Sequence, residues 1–165
     1  MSNKAAVLHR LKELGVPHEV WEHPAAFTMA ECQALPFAGP NVTFCKNILL
    51  CNRQQTAFYL YVTLGDKPFR TADVSKLLGV SRLSFAPEAR LWDMLQLHSG
   101  SLNPMGLWFN REHAISFVVD NAIRQTPRIA FHPCDNTATV VFRQEEFWRQ
   151  VAPTLGVAPI FLDVP

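Results

Sequence analysis

The feature that most limits the fold of this chain is a succession of short β-forming runs, each closed by turn residues. Asn47-Ile48-Leu49-Leu50-Cys51 and Ala57-Phe58-Tyr59-Leu60-Tyr61-Val62 flank the polar turn Asn52-Arg53-Gln54-Gln55, a pattern that predicts a hairpin. Gly106–Phe109, Ile115–Val119, Arg128–His132 and Thr137–Phe142 repeat the mixture of β-branched and aromatic residues, so one continuous sheet is expected. Short helical stretches lie between them. Val7, Leu8, Leu11 and Leu14 share a helical face ahead of the stop signals Gly15 and Pro17. His18–Glu22 then reads as a strand. Past the His23-Pro24 break, Thr28 is placed to cap a short helix containing Glu31, which Phe37-Ala38-Gly39-Pro40 would end.

Thr71–Leu78, closed by Gly79, and Pro87–Leu95 read as helices on either side of a short strand near Arg82–Phe85. Glu145–Val151 reads as a closing helix, and Ile160–Leu162 as an edge strand. No repeat or Pro/Gly/Ser-rich linker divides the chain. The expectation is therefore one α+β domain over residues 1–165, with a large mixed or mainly antiparallel sheet.

A chain of 165 residues that is 48% hydrophobic and 18% charged has enough apolar material for a proper core and too little charge for disorder. The formal net charge of +1 means that any nucleic acid has to be held locally, not by a general positive field. The longest apolar runs fall far short of the roughly 20 residues needed to span a bilayer, and Met1-Ser2-Asn3-Lys4 leads into no secretory signal, so a cytoplasmic address with no membrane contact is expected. Cys32, Cys45, Cys51 and Cys134 lack paired spacing and are expected as free, buried thiols. His9, His18, His23, His98, His113 and His132 form no metal-ligand pattern, so no metal site is expected.

Three polar clusters interrupt the apolar plan. Cys45-Lys46-Asn47 stands just ahead of an apolar strand, where the Lys46 ammonium would sit at the rim of the sheet and could hold a phosphate or a ribose hydroxyl. Ser99-Gly100-Ser101-Leu102-Asn103-Pro104-Met105-Gly106 is a shaped loop whose amides could face a carbonyl oxygen or a water. Phe131-His132-Pro133-Cys134-Asp135-Asn136-Thr137-Ala138-Thr139 brings an imidazole that can titrate near neutral pH together with an amide and two hydroxyls. His23-Pro24 with Thr28 is a weaker fourth group. Each has a plain structural reading: a solvated strand-edge lysine, a connecting loop, a hydrogen-bonded histidine, a turn-forming asparagine. A cysteine nucleophile, Cys134 or Cys45, with His132 as base is a further possibility.

Taken in order, Glu22-His23-Pro24 with Thr28, Lys46-Asn47-Ile48-Leu49-Leu50, Gly100-Ser101-Leu102-Asn103-Pro104-Met105-Gly106-Leu107, and His132-Pro133 with Asn136-Thr137-Ala138-Thr139 resemble the YbaK-type, prolyl-tRNA-synthetase-associated editing domain. The resemblance is to its stand-alone branch, which acts on alanyl-tRNA for proline, and it covers about residues 5 to 155. It implies an α+β fold with a curved mixed sheet and hydrolysis of the ester between a wrong amino acid and the terminal adenosine of tRNA. Lys46 would then contact the terminal nucleotide with help from Asn47. The loop carrying Gly100, Ser101, Asn103 and Pro104 would face the ester and the attacking water. His132, backed by Asn136 and Thr137, would shape the aminoacyl pocket, with His23 and Thr28 beside it. The expected partners are aminoacylated tRNA and prolyl-tRNA synthetase, with no cofactor. Lys46, Gly100 and His132 are the catalytic candidates. The competing readings are a non-catalytic tRNA-binding or regulatory module of the same fold and a cysteine-dependent hydrolase of a small substrate.

Overall fold

The Ser2 hydroxyl accepts from the amide of Ala5, and Gly15 closes the last turn in the left-handed region (φ 67°). Between these caps lies α1 (Asn3–Leu14), whose Val7 and Leu11 are fully buried, as the apolar spacing requires. The computed structural model describes residues 2–35, 41–110 and 114–165. The elements after α1 are β1 (Glu19–Glu22), α2 (Met29–Gln33), β2 (Val42–Cys51), β3 (Phe58–Leu64), α3 (Thr71–Leu78), β4 (Ser84–Phe85) and α4 (Glu88–Leu95). Two 3-10 turns, Ser99–Ser101 and Pro104–Phe109, lead to β5 (Ile115–Asp120), β6 (Arg128–Phe131) and β7 (Ala138–Arg143). A short α5 (Gln144–Glu146) widens into a π turn over Phe147–Val151, and β8 (Pro159–Leu162) follows. The expected helix stop at Phe37-Ala38-Gly39-Pro40 lies outside the described residues, as does His113.

The eight strands form one mixed sheet in the order β1-β7-β6-β2-β3-β5-β8, with β4 added to β2. Four pairings are antiparallel (β1/β7, β6/β7, β2/β3, β2/β4) and three are parallel (β2/β6, β3/β5, β5/β8). This is the α+β arrangement expected from the alternating runs, with the hairpin β2/β3 at its centre.

Two local expectations need correction. Gly106–Phe109 is not a strand: Asn103 accepts from the amide of Met105, Pro104 occupies the first position of the turn, and the segment coils into a 3-10 turn with Pro104 to Leu107 buried. Capping chemistry and core packing override the β propensity of Leu, Trp and Phe. β2 also begins at Val42, so Lys46 and Asn47 lie within the strand and not ahead of it.

Alternation along the strands divides the core. On one face Leu49, Leu60, Val62, Phe117 and Phe131 meet α1, α4 and the π turn, where the Phe147 ring stands 5.3 Å from Phe131, 5.3 Å from Phe142 and 4.9 Å from Trp148. On the other face Leu50, Tyr61, Val74, Leu83 and Val118 form a second cluster, while Phe44, Ala130 and Val141 pack beneath Cys32 of α2.

The sheet contains a split that decides where a ligand can enter. β6 pairs with β2 only over Val42, Thr43 and Phe44, and β4 pairs with it only at Leu50 and Cys51. Among the described residues, 45 to 49 therefore have β3 on one side and no strand ladder on the other. Among the described residues no helix is long and apolar enough to cross a membrane.

Candidate functional site

A cavity of about 140 Å³ occupies this split. β2 supplies Lys46 and Asn47, the first 3-10 turn supplies Ser99 and Gly100, the end of β6 supplies His132, and α2 with its cap supplies Thr28, Met29 and Cys32. Four segments distant in sequence thus converge on one hollow.

Lys46 has Thr63 of β3 as its cross-strand partner, and its ammonium donates to the carbonyl of Lys67 at 2.9 Å beneath the Phe69 ring, 5.4 Å from the centroid. An ammonium has three N–H donors, so among the described residues two remain for a ligand. The main chain beside it is also turned to the cavity. The carbonyl of Phe44 accepts from Gly65 on the β3 side, while that of Leu49 accepts from Ala86 on the opposite side. By strand alternation the backbone groups of Cys45 and Asn47 face the split. The Asn47 side chain donates to the Cys45 carbonyl at 3.4 Å, whereas its Oδ1 is buried and accepts nothing among the described residues. An orphaned buried acceptor is uncommon and invites a donor from a ligand.

The Gly100 turn is fastened by α4: Glu88 Oε1 accepts from the Ser99 amide at 3.0 Å and lies 3.2 Å from His98 Nδ1. Gly100 lies outside the left-handed region, and a Cβ built on it meets no atom within 4 Å. The residue leaves open space at the cavity wall; it does not relieve a strained turn. Ser101, Asn103 and Pro104 are off that wall among the described residues. Asn103 is fully buried, donating to the Ser101 carbonyl (2.9 Å) and to Cys134 Sγ (3.3 Å) while accepting from Met105 (3.0 Å), so its amide holds the loop together from beneath.

The proton positions around His132 follow from its partners. Nδ1 lies 2.9 Å from the carbonyl of Ala138, which can only accept, so Nδ1 carries the proton and the Nε2 lone pair faces Cys32 Sγ at 3.3 Å. His23 Nδ1 likewise donates to the Pro24 carbonyl (2.8 Å), and its Nε2 lies 2.8 Å from the Thr139 hydroxyl. The two rings stand 5.7 Å apart, with Thr139 Oγ1 also 3.4 Å from His132 Nδ1. Burial, reinforced by the neighbouring His23, holds the pKa of His132 below its ordinary 6.5 against the opposing pull of Ala138 and Asp135. His132 is therefore a neutral ring at pH 7.

Asn136 and Thr137 lie behind the site. Their carbonyls accept from the amides of Ala26 and His23, and the Thr137 hydroxyl and amide are tied to Asp135. They anchor the segment that leads into α2.

Among the described residues neither Cys45 nor Cys134, the expected nucleophiles, has its sulfur hydrogen-bonded to the His132 ring. Burial pushes the Cys45 thiol far up, and that of Cys134 up to about 11. The sulfur in contact with His132 is that of Cys32, which is itself raised by burial and by Glu31. Sequence reasoning had passed over Cys32. Its only signal is its place four residues after Thr28, on the same face of a capped helix. Lys67 and Phe69, which hold Lys46, carried no sequence signal.

A profile of the aminoacyl-tRNA editing domain matches residues 23–149, a span that begins at His23 and includes every cavity residue named above. The chain belongs to this family. Among curated members of the editing-domain family, prolyl-tRNA synthetase associated domain-containing protein 1 of Bos taurus is 31% identical over 169 residues, covering 97% of this chain and 94% of that protein. Prolyl-tRNA editing protein ProX of Acetoanaerobium sticklandii is 31% identical over 152 residues, covering 92% of each. A crystal structure provisionally described as a trans-editing enzyme for prolyl tRNA synthetase superposes with a TM-score of 0.71 over 98% of both chains at 17% identity, which establishes the shared fold of the editing domain.

Proposed function

We propose that this chain is a trans-editing deacylase that hydrolyses the ester of mischarged tRNA, with alanine on proline tRNA as its substrate. The observation that carries the reading is the meeting of Lys46, Asn47 Oδ1 (unpartnered among the described residues), Gly100 and neutral His132 at one cavity in the split sheet. The close relationship to a prolyl-tRNA editing protein supports it.

An aminoacyl ester is already activated, so the protein needs chiefly to orient water and to stabilise the oxyanion that develops. Lys46 takes the terminal nucleotide, through a phosphate or ribose oxygen, with its two unused donors. Asn47 Oδ1 receives a donor from the substrate, either a ribose hydroxyl or the α-ammonium of the amino acid. The main-chain groups of the split and of the Gly100 turn face the ester and the water. Neutral His132 with the Cys32 thiol forms the wall next to the side chain of the amino acid without adding charge.

A cavity of about 140 Å³ suits a small amino acid. Steric selection is limited, since one methylene is worth only about 1–3 kcal/mol. The partners are the acceptor end of tRNA and prolyl-tRNA synthetase, whose errors the chain would clear in the cytoplasm. Incubation with a panel of tRNAs charged with alanine, serine, cysteine or proline tests the reading. Alanine should leave proline tRNA fastest and cognate proline should remain; a panel in which no ester is lost above the spontaneous rate overturns it.

A further inference from the structure

Lys46 is held from behind by groups that take no direct part in the chemistry proposed above. Its ammonium donates to the carbonyl of Lys67, while the ammonium of Lys67 turns away to Asp120 Oδ2 (2.7 Å) and the Val164 carbonyl (2.8 Å). Asp120 is only 1% exposed. Its Oδ2 also accepts from the Thr63 hydroxyl at 2.8 Å, and its Oδ1 accepts from the amide of Ala122 at 2.9 Å. Thr63 is the residue directly opposite Lys46 in the β2/β3 ladder. The contacts close a ring that runs from Lys46 through the Lys67 carbonyl, the Lys67 ammonium, Asp120 and Thr63, and back to Lys46.

This arrangement is hard to explain as a device for stability. A largely buried ion pair is about neutral beside well-packed apolar residues of the same size. What it supplies is position. The stretch between β3 and α3 is tied locally by the Lys67 amide to the Leu64 carbonyl (3.2 Å) and by Gly65 to Phe44, so the aim of the Lys67 carbonyl depends on where its own side chain is anchored. A free lysine side chain samples many rotamers; a fixed acceptor at 2.9 Å, with the Phe69 ring beside it, selects one.

We infer that the Lys67–Asp120 pair sets the position of the Lys46 ammonium, making Lys67 and Asp120 positioning residues that act through the Lys67 carbonyl. The activity arm of the test rests on the deacylase reading, and the spectroscopic arm does not. Lys67→Met keeps the backbone carbonyl and the side-chain length but removes the anchor. Asp120→Asn is the second variant, and Lys67→Arg retains the ion pair. In the full chain labelled with ¹³C-lysine, the Cε resonance of Lys46 is assigned by its absence from Lys46→Ala.

Lys67→Met and Asp120→Asn, each confirmed as folded by circular dichroism, should move that resonance toward those of the exposed lysines and lower kcat/KM for deacylation by about tenfold or more, the scale of a hydrogen bond to a charged group. Lys67→Arg should restore most of both. Leu11→Ala, which weakens the core beneath α1, should leave both in place once folded, separating positioning from general loss of stability. An unmoved Lys46 resonance in folded Lys67→Met overturns the inference, whatever happens to activity. Absence of turnover in the wild type would sink the deacylase reading alone, because the resonance still reports on the ring.

Discussion

Burial is the largest influence on His132, and it works against the charged ring. An unfolded chain takes up a proton at this histidine near pH 6.5, whereas the folded chain resists it until lower pH. The stabilisation is thus fully present above about 6.5 and is lost as pH falls from there through the depressed folded value. Asp135 is also depressed, chiefly by its hydrogen bond from Thr137, but its effect is lost only as pH falls below the ordinary carboxylate value of 3.8, so it does not contribute between pH 7.5 and 5.5. Thermal melts between pH 7.5 and 5.5 should show a decline in the wild type that His132→Gln reduces; identical slopes would mean that the ring titrates normally. Lys46 calls for a different measurement. Lys46→Ala should keep its melting temperature within a few degrees, since the side chain is only half-buried, while deacylation falls by about a hundredfold or more, the scale of losing a placed donor. Normal turnover by the folded variant would remove Lys46 from the site.

At the scale of elements, the cavity depends on two short pieces held by local chemistry. α2 has only five residues, too few to persist without its cap, in which Thr28 accepts from the Glu31 amide at 3.1 Å and Glu31 returns a bond to the Phe27 amide at 3.2 Å. Thr28→Ala should cost about 1 kcal/mol. The loss should appear as faster amide exchange at Cys32 and Ala34, with a higher KM because Met29 and Cys32 are cavity walls. Exchange unchanged from the wild type would show that tertiary packing alone holds α2. The glycines of the 99–106 segment should separate in the same way. Gly100→Ala adds a methyl into open space and should shift stability by no more than about 0.5 kcal/mol. Gly106→Ala places a Cβ 2.8 Å from Leu97 Cδ1, so that core must adjust and the variant should melt lower. These elements were legible because their signals are local: a capping threonine, an apolar face and a glycine stop predicted α1 and α2 close to where they lie. Gly106–Phe109 was misread as a strand because the deciding bond, from the Met105 amide to Asn103, competes with a β-forming composition that points the other way.

Over the whole molecule, a net charge of +1 limits how tRNA can be gripped. If only a few cations such as Lys46 meet phosphates, log kcat/KM should fall shallowly with log salt concentration, by less than about 0.7 for each single-stranded phosphate contacted. A steep slope, such as that of proteins making six or more contacts, would point to a basic face beyond the cavity. By itself, the sequence determined most strands, most helices and, through four ordered motifs, the editing family, because periodicity, caps and motif spacing are written in neighbouring residues. Only the tertiary structure decided that β6 and β4 leave β2 at opposite ends, that Lys46 lies inside that open stretch, and that Cys32, not Cys134 or Cys45, meets His132. The reason is physical. Strand order joins residues tens of positions apart, and the acceptor that aims Lys46 is a backbone carbonyl, a group every residue carries and no sequence can mark.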